Sequence, residues 1–162
     1  MKKSERTSRM VLLGIVLVLC LLSFIGCEGD YAVPITSGPT RKVDQRLLGN
    51  WVSKDGTEKM KVVRLDDSVY IVSYDGDLFR AFHSDVDKTS FVTLQDLELA
   101  SRKYSYVTYK LSDDGKRLDV RVVDNKVISK DLKDSASVQK LLKKNLENPA
   151  LFGDESEFIK EK

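Results

Sequence analysis

Turn-forming clusters punctuate the chain from residue 49 onward, at Asp55-Gly56, Asp66-Asp67-Ser68, Asp75-Gly76-Asp77, Asp113-Asp114-Gly115 and Asp124-Asn125. Between them lie short runs rich in Val, Ile, Tyr, Phe and Thr. Asp-Gly between apolar runs is a strong hairpin signal: Gly accepts positive φ, and Asp can bond its own turn backbone. The spacing predicts strands at Gly49–Ser53, Lys59–Leu65, Val69–Tyr74, Leu78–His83, Ser90–Leu94, Lys103–Leu111, Arg117–Val123 and Lys126–Ser129. In Arg117–Val123 the residues Leu118, Val120 and Val122 share one face, and Arg117, Asp119 and Arg121 share the other. That alternation describes a sheet with one packed and one wet face. Strands joined by turns this short are antiparallel neighbours, so the sheet is a meander.

The pattern changes after Lys133. Ser135 or Ser137 can cap a helix of about 135–147, with Val138, Leu141, Leu142 and Leu146 at helical spacing. Lys140, Lys143 and Lys144 fall outside that stripe, and Pro149 ends it. Such a helix is expected to plug an open end of the sheet or to cover an apolar face. A last short strand is expected near Glu157–Lys160. The fold class is therefore mainly β with one C-terminal helix.

Residues 1–26 read as a different object. Lys2, Lys3, Arg6 and Arg9 precede a stretch, Met10–Gly26, without charge. A basic start followed by a short apolar run is an export signal. The run is near the lower limit for crossing hydrocarbon, about 17–25 residues. It can therefore be cleaved, or stay as an anchor with its basic end in the cytoplasm. From Cys27 onward there are 23 basic against 24 acidic residues, so the basic balance of the whole chain belongs to the signal. Nothing there favours a nucleic-acid partner. No cysteine follows Cys27, so an exported domain must stand on its apolar core without a disulfide. Residues 28–45 hold Pro34, Gly38 and Pro39 with no periodic apolar face and read as a flexible tether. The domain begins at Arg46 and runs to Lys162.

Leu21–Cys27, LLSFIGC, resembles the lipobox of bacterial lipoproteins, with Phe24 where that family has Leu. The resemblance implies a lipid on the Cys27 sulfur, cleavage before it, and a membrane-tethered protein of the bacterial cell envelope. Glu28, in the position where Asp often marks inner-membrane retention, leans toward an outer membrane facing the periplasm. Gly49-Asn50-Trp51 resembles the G-x-W of the first lipocalin strand, whose Trp closes the barrel bottom. It makes the meander a curved sheet or a small lipocalin-like barrel of about eight strands. LLGNWVSKDG, YSYVTYKL and ENPALFGDESEFIK together resemble a set of small bacterial lipoproteins, in which a C-terminal helix precedes a Pro-x-Leu-Phe element and a last strand. That resemblance implies a fold and a location but no activity.

Candidate chemistry is thin. His83 is the single histidine, at the end of a strand, where a surface or rim position is expected. No Gly-x-Ser-x-Gly elbow accompanies it. The acid pairs Asp75/Asp77, Asp85/Asp87 and Asp113/Asp114 sit at turns, where Asp serves the backbone, and none follows a calcium-loop pattern. No metal or cofactor is expected. Trp51, Tyr104 and Tyr106 are the candidate binding surface: Tyr104 and Tyr106 share a strand face and would make a rigid amphipathic contact if exposed. Packing against Phe79, Phe82 or Phe91 is the alternative. The expectation is a non-catalytic binding or structural module held by lipid, contacting another envelope protein. Alternatives are a small apolar-ligand carrier, or a hydrolase using Asp, Glu and Tyr near His83 or the Asp75–Asp77 turn.

Overall fold

The computed structural model describes residues 31–98 and 102–161. The expected export signal and Cys27 lie outside the described residues. Eight antiparallel strands close into a barrel in sequence order: β1 (Gly49–Ser53), β2 (Lys59–Arg64), β3 (Val69–Tyr74), β4 (Asp77–His83), β5 (Phe91–Asp96), β6 (Tyr104–Leu111), β7 (Arg117–Val123) and β8 (Phe152–Lys160). β1 and β8 close the ring through Trp51 opposite Lys160 and Ser53 opposite Phe158. Closure leaves no edge strand to recruit a foreign one. One helix, α1 (Ser135–Asn145), lies in the β7–β8 connection. Among the described residues no helix is long and apolar enough to cross a membrane.

The turns follow the chemistry of their residues. Asp75 and Gly76 both take positive φ, 49° and 103°, as a two-residue hairpin with the right twist demands. Asp75 also accepts the Lys59 backbone N–H at 3.0 Å, which stitches this turn to β2. α1 is capped by Asp134, which accepts from the Ser137 N–H at 2.8 Å, so the cap falls one residue before the first of the two expected serines.

Two cores share the barrel wall. The inner one holds Trp51, Val62, Tyr70, Phe79, Leu118 and Phe158 among others. The outer one lies on β5, β6 and β7, where Phe91, Tyr106 and Val123 meet Val138 and Leu142 of α1 together with Tyr31 and Ile35. The helix therefore covers an outer apolar face and plugs no opening.

Three expectations are corrected. Lys126–Ser129 is not a strand. Asp124 accepts the Lys126 N–H through its side chain and the Ile128 N–H through its carbonyl, which curls the segment and buries Ile128 in the outer core. The eighth strand is β8, which starts five residues earlier than expected. The tether reading fails over Tyr31–Val43, where the chain is laid along the barrel as a strap. Tyr31 and Ile35 are fully buried. Tyr31 pairs through its backbone with Tyr104 in both directions, at 3.0 and 2.9 Å. Ser135 and Gln139 of α1 donate to the carbonyls of Pro34 and Ile35.

Candidate functional site

The inner faces of the strands enclose a cavity of about 160 Å³. Alternation places Met60 and Val62 of β2, Tyr70, Val72 and Tyr74 of β3, and Leu118, Val120 and Val122 of β7 on its wall. Ser156 is its one lining residue that is neither aliphatic, thioether nor aromatic.

One end of the barrel is closed. A 3-10 turn at Gln45–Leu47 crosses it and puts Leu47 on the cavity wall. Trp51 donates its Nε1–H to the Leu47 carbonyl at 2.9 Å. Lys160 donates to the Arg46 carbonyl at 2.6 Å, with its Nζ 5.0 Å from the centre of the Trp51 ring. Gly49 makes this junction possible: its φ is +131°, and a Cβ there would lie 3.0 Å from Lys160 Cε. The opposite end is the mouth. Inward-facing Met60, Tyr74, Leu94 and Val122 are half-exposed there, whereas Val62, Val72 and Leu118 deeper inside are buried. Leu78 and Leu97, joined by a backbone hydrogen bond, are exposed on its rim.

A polar cluster sits at the closed end. His83 faces inward and is fully buried, contrary to the surface or rim position expected of it. Arg41 lies 3.1 Å from His83 Nδ1, and Tyr70 Oη lies 2.7 Å from Nε2. Arginine only donates, so Nδ1 accepts and the ring proton is on Nε2, donated to Tyr70. Tyr70 Oη also accepts the Asp44 N–H at 2.6 Å, and Tyr109 Oη accepts from Arg41 at 3.1 Å. Both tyrosines line the cavity. Tyr70 Oη already accepts twice, so what it has left to offer is its own proton; Tyr109 Oη accepts once and also keeps a proton to donate.

Burial first, then the Arg41 charge, pushes the His83 pKa down to about 4, against the opposing pull of Asp85 and Asp44. The ring is neutral near pH 7. Burial likewise pushes Tyr70 up to about 12 and raises Tyr109, so both are protonated donors. Asp85 accepts from Thr40 at 2.9 Å through Oδ2, while its Oδ1 is buried without a partner among the described residues.

No family model, curated protein or solved structure matches this chain. The site must therefore be read from its own geometry.

The sequence-selected residues do not form one surface. Trp51 is fully buried inside the barrel at its closed end. Tyr106 is fully buried on the outer wall, stacked on Tyr31 with ring centres 4.0 Å apart, and donates its hydroxyl to the Val33 carbonyl. Tyr104 is half-buried, and its hydroxyl accepts from Gln95 at 3.2 Å. Tyr104 and Tyr106 thus hold the strap and are not an open contact face. The residues that sequence reasoning passed over are Arg41 and Tyr70; it named His83 but expected it at the surface or rim. Strand parity alone could have placed Tyr70 and Tyr109 inside; Arg41 belonged to a segment with no periodicity to follow.

Among the described residues, no group of three or more His, Cys, Asp and Glu is disposed to hold a metal ion. The groups of the alternative hydrolase reading lie apart. The Asp75–Asp77 turn is at the mouth end of β4, and His83 is at the other end with both ring nitrogens engaged.

Proposed function

We propose that the chain is an envelope lipoprotein whose barrel is a non-catalytic binding module for a slender apolar ligand that leads with a hydrogen-bond acceptor. The observation that carries this reading is the open, apolar barrel interior ending in two tyrosine hydroxyls that each keep a proton to donate. The size narrows the class. A dry cavity of about 150 Å³ lined by aliphatic and aromatic side chains takes a benzene-sized guest, whereas drug-sized ligands occupy about 300–1,000 Å³. One ring or a short alkyl segment fits inside, and anything longer extends through the mouth. The lipobox-like LLSFIGC supports a lipid anchor at Cys27 and a location at the bacterial envelope, facing the periplasm where there is an outer membrane. A second envelope protein as partner has less support, since two of the three aromatic residues expected to meet it are fully buried.

The test is calorimetric titration of the purified domain with 2-nonanone and with nonane-sized hydrocarbon delivered in the same carrier. The ketone should bind more tightly than the hydrocarbon. A Tyr70→Phe, Tyr109→Phe double variant should bring the two within about threefold of each other, because one neutral hydrogen bond contributes about 1 kcal/mol. Equal binding of both by the unaltered protein removes the acceptor from the reading; binding of neither removes the ligand. Mass spectrometry of the mature N-terminus tests the anchor separately.

A further inference from the structure

We infer that the mouth of the barrel rests on the bilayer that carries the lipid anchor, so that the cavity exchanges its ligand with the membrane without passing through water. The inference rests on the lipid-anchor reading of Cys27 and deepens the binding reading by naming where the ligand comes from.

The strap decides which end of the barrel the anchor can reach. Were residues 28–45 free, the domain could stand as far as about 60 Å from the membrane in any orientation. Tyr31 forbids that. It is fully buried, paired to Tyr104 through two backbone hydrogen bonds, and stacked on Tyr106. Tyr104 is the first residue of β6, at the mouth end. Three residues separate Cys27 from Tyr31, and the four residue-to-residue steps between them span at most about 14 Å. The closed end lies at the far side of strands such as β6, whose eight residues run about 27 Å at 3.4 Å per residue. The anchored sulfur is therefore tied to the mouth end and cannot reach the closed end.

The rim has the surface such a contact needs. Leu78 and Leu97 stand exposed at the outer edge of the rim, at 38% and 42%, and Met60, Tyr74 and Leu94 are half-exposed on its inner side. Charges of both signs surround it, Lys59, Arg102, Lys103 and Lys126 alongside Asp75, Asp77, Asp96, Glu98 and Asp124, with no basic excess. The contact is thus held by the short tether and by apolar burial, not by attraction to anionic lipid, and it should survive high salt. A guest in a cavity this small keeps any tail outside the mouth, and a mouth on the bilayer lets that tail stay in hydrocarbon.

The experiment uses the full lipidated protein reconstituted into phosphatidylcholine vesicles. Its only mature cysteine is the acylated one, so a single introduced thiol labels cleanly. Leu97→Cys (rim), Leu65→Cys (beyond β2, closed end) and Lys144→Cys (helix face) each receive an environment-sensitive fluorophore. Vesicles carry a quencher on the lipid headgroup or along the acyl chain. Quenching should be at least threefold stronger at position 97 than at 65 or 144, and unchanged between 0.1 and 1 M salt. Stronger quenching at 144 places the barrel on its side, and stronger quenching at 65 places the closed end down; either overturns the proposal. Equal, weak quenching at all three sites means a free domain or a rim covered by protein, and overturns it as well. An unmodified Cys27 in the mass spectrum of the same preparation removes the anchor reading and this inference with it, whereas the wrong quenching pattern in a lipidated sample removes the orientation alone.

Discussion

His83 shows how far one side chain can be from what its position in the sequence suggests. A histidine at a strand end is ordinarily wet, but here parity turns it inward and the strap lays Arg41 over it. Its pKa is depressed to about 4 from an ordinary 6.5. The unfolded chain therefore binds more protons than the folded one between those values, and stability falls as pH drops through that window. The loss from pH 7 to pH 4.5 should be on the order of 2 kcal/mol, read by urea denaturation. Asp44, Asp55, Asp114 and Asp134 are held below the usual carboxylate range by their hydrogen bonds, so their contribution is lost only at lower pH. Replacing His83 with Gln keeps an acceptor for Arg41 and a donor for Tyr70 but removes the titration. H83Q should flatten the curve between pH 4.5 and 6.5, and a slope equal to the parent's would assign the effect elsewhere. Gly49 makes a second residue-scale case. An alanine there adopts a φ of +131° and presses on Lys160 Cε, so G49A should cost about 1–3 kcal/mol in the same assay.

At the scale of elements, the strands were legible because each obeys two local rules at once, alternation and turn chemistry. Seven of them fall within about two residues of where those rules put them. The misses share a cause. Lys126–Ser129 has strand-like Val and Ile, but the Asp124 side chain turns the backbone first. β8 was seen only at its end because Ser156, on the inward face, breaks the apolar alternation. The strap escaped because it docks through isolated anchors and not through a periodic face: Tyr31, Ile35 and Val43 are buried, while the segment between runs through Thr36 to a hydroxyl chain with Ser84 and Thr93. If those anchors hold it, Tyr31→Ala should cost about 3 kcal/mol, in the range for truncating a buried aromatic. It should also release residues 31–36 to fast hydrogen exchange while β1–β4 remain protected. Tyr31→Phe removes only a 3.5 Å contact to the Val123 carbonyl and should change stability by less than about 0.5 kcal/mol.

For the whole molecule, period-2 alternation leads to a meander but does not say whether it closes. Closure depends on the β1–β8 register, a contact between the two ends of the domain that no local window contains. The cavity is a consequence of that closure. With the 3-10 turn sealing one end, residues such as Val72, Ala81 and Val107 are too small to fill the space their strands enclose. A chain selected for stability alone would have larger residues there, since filling a void gains dispersion contacts and removes apolar surface from water. An interior lined this way is thus a standing loss of stability that makes sense if something enters it. Ala81, 1% exposed on the cavity wall, is the place to measure this. Ala81→Leu should raise stability by about 1 kcal/mol and the melting temperature by about 3 °C. It should weaken ketone binding at least tenfold, because the added side chain occupies the space of the guest. Gain and loss in one variant would tie the void to binding; a variant that gains stability and still binds would mean that the ligand sits elsewhere.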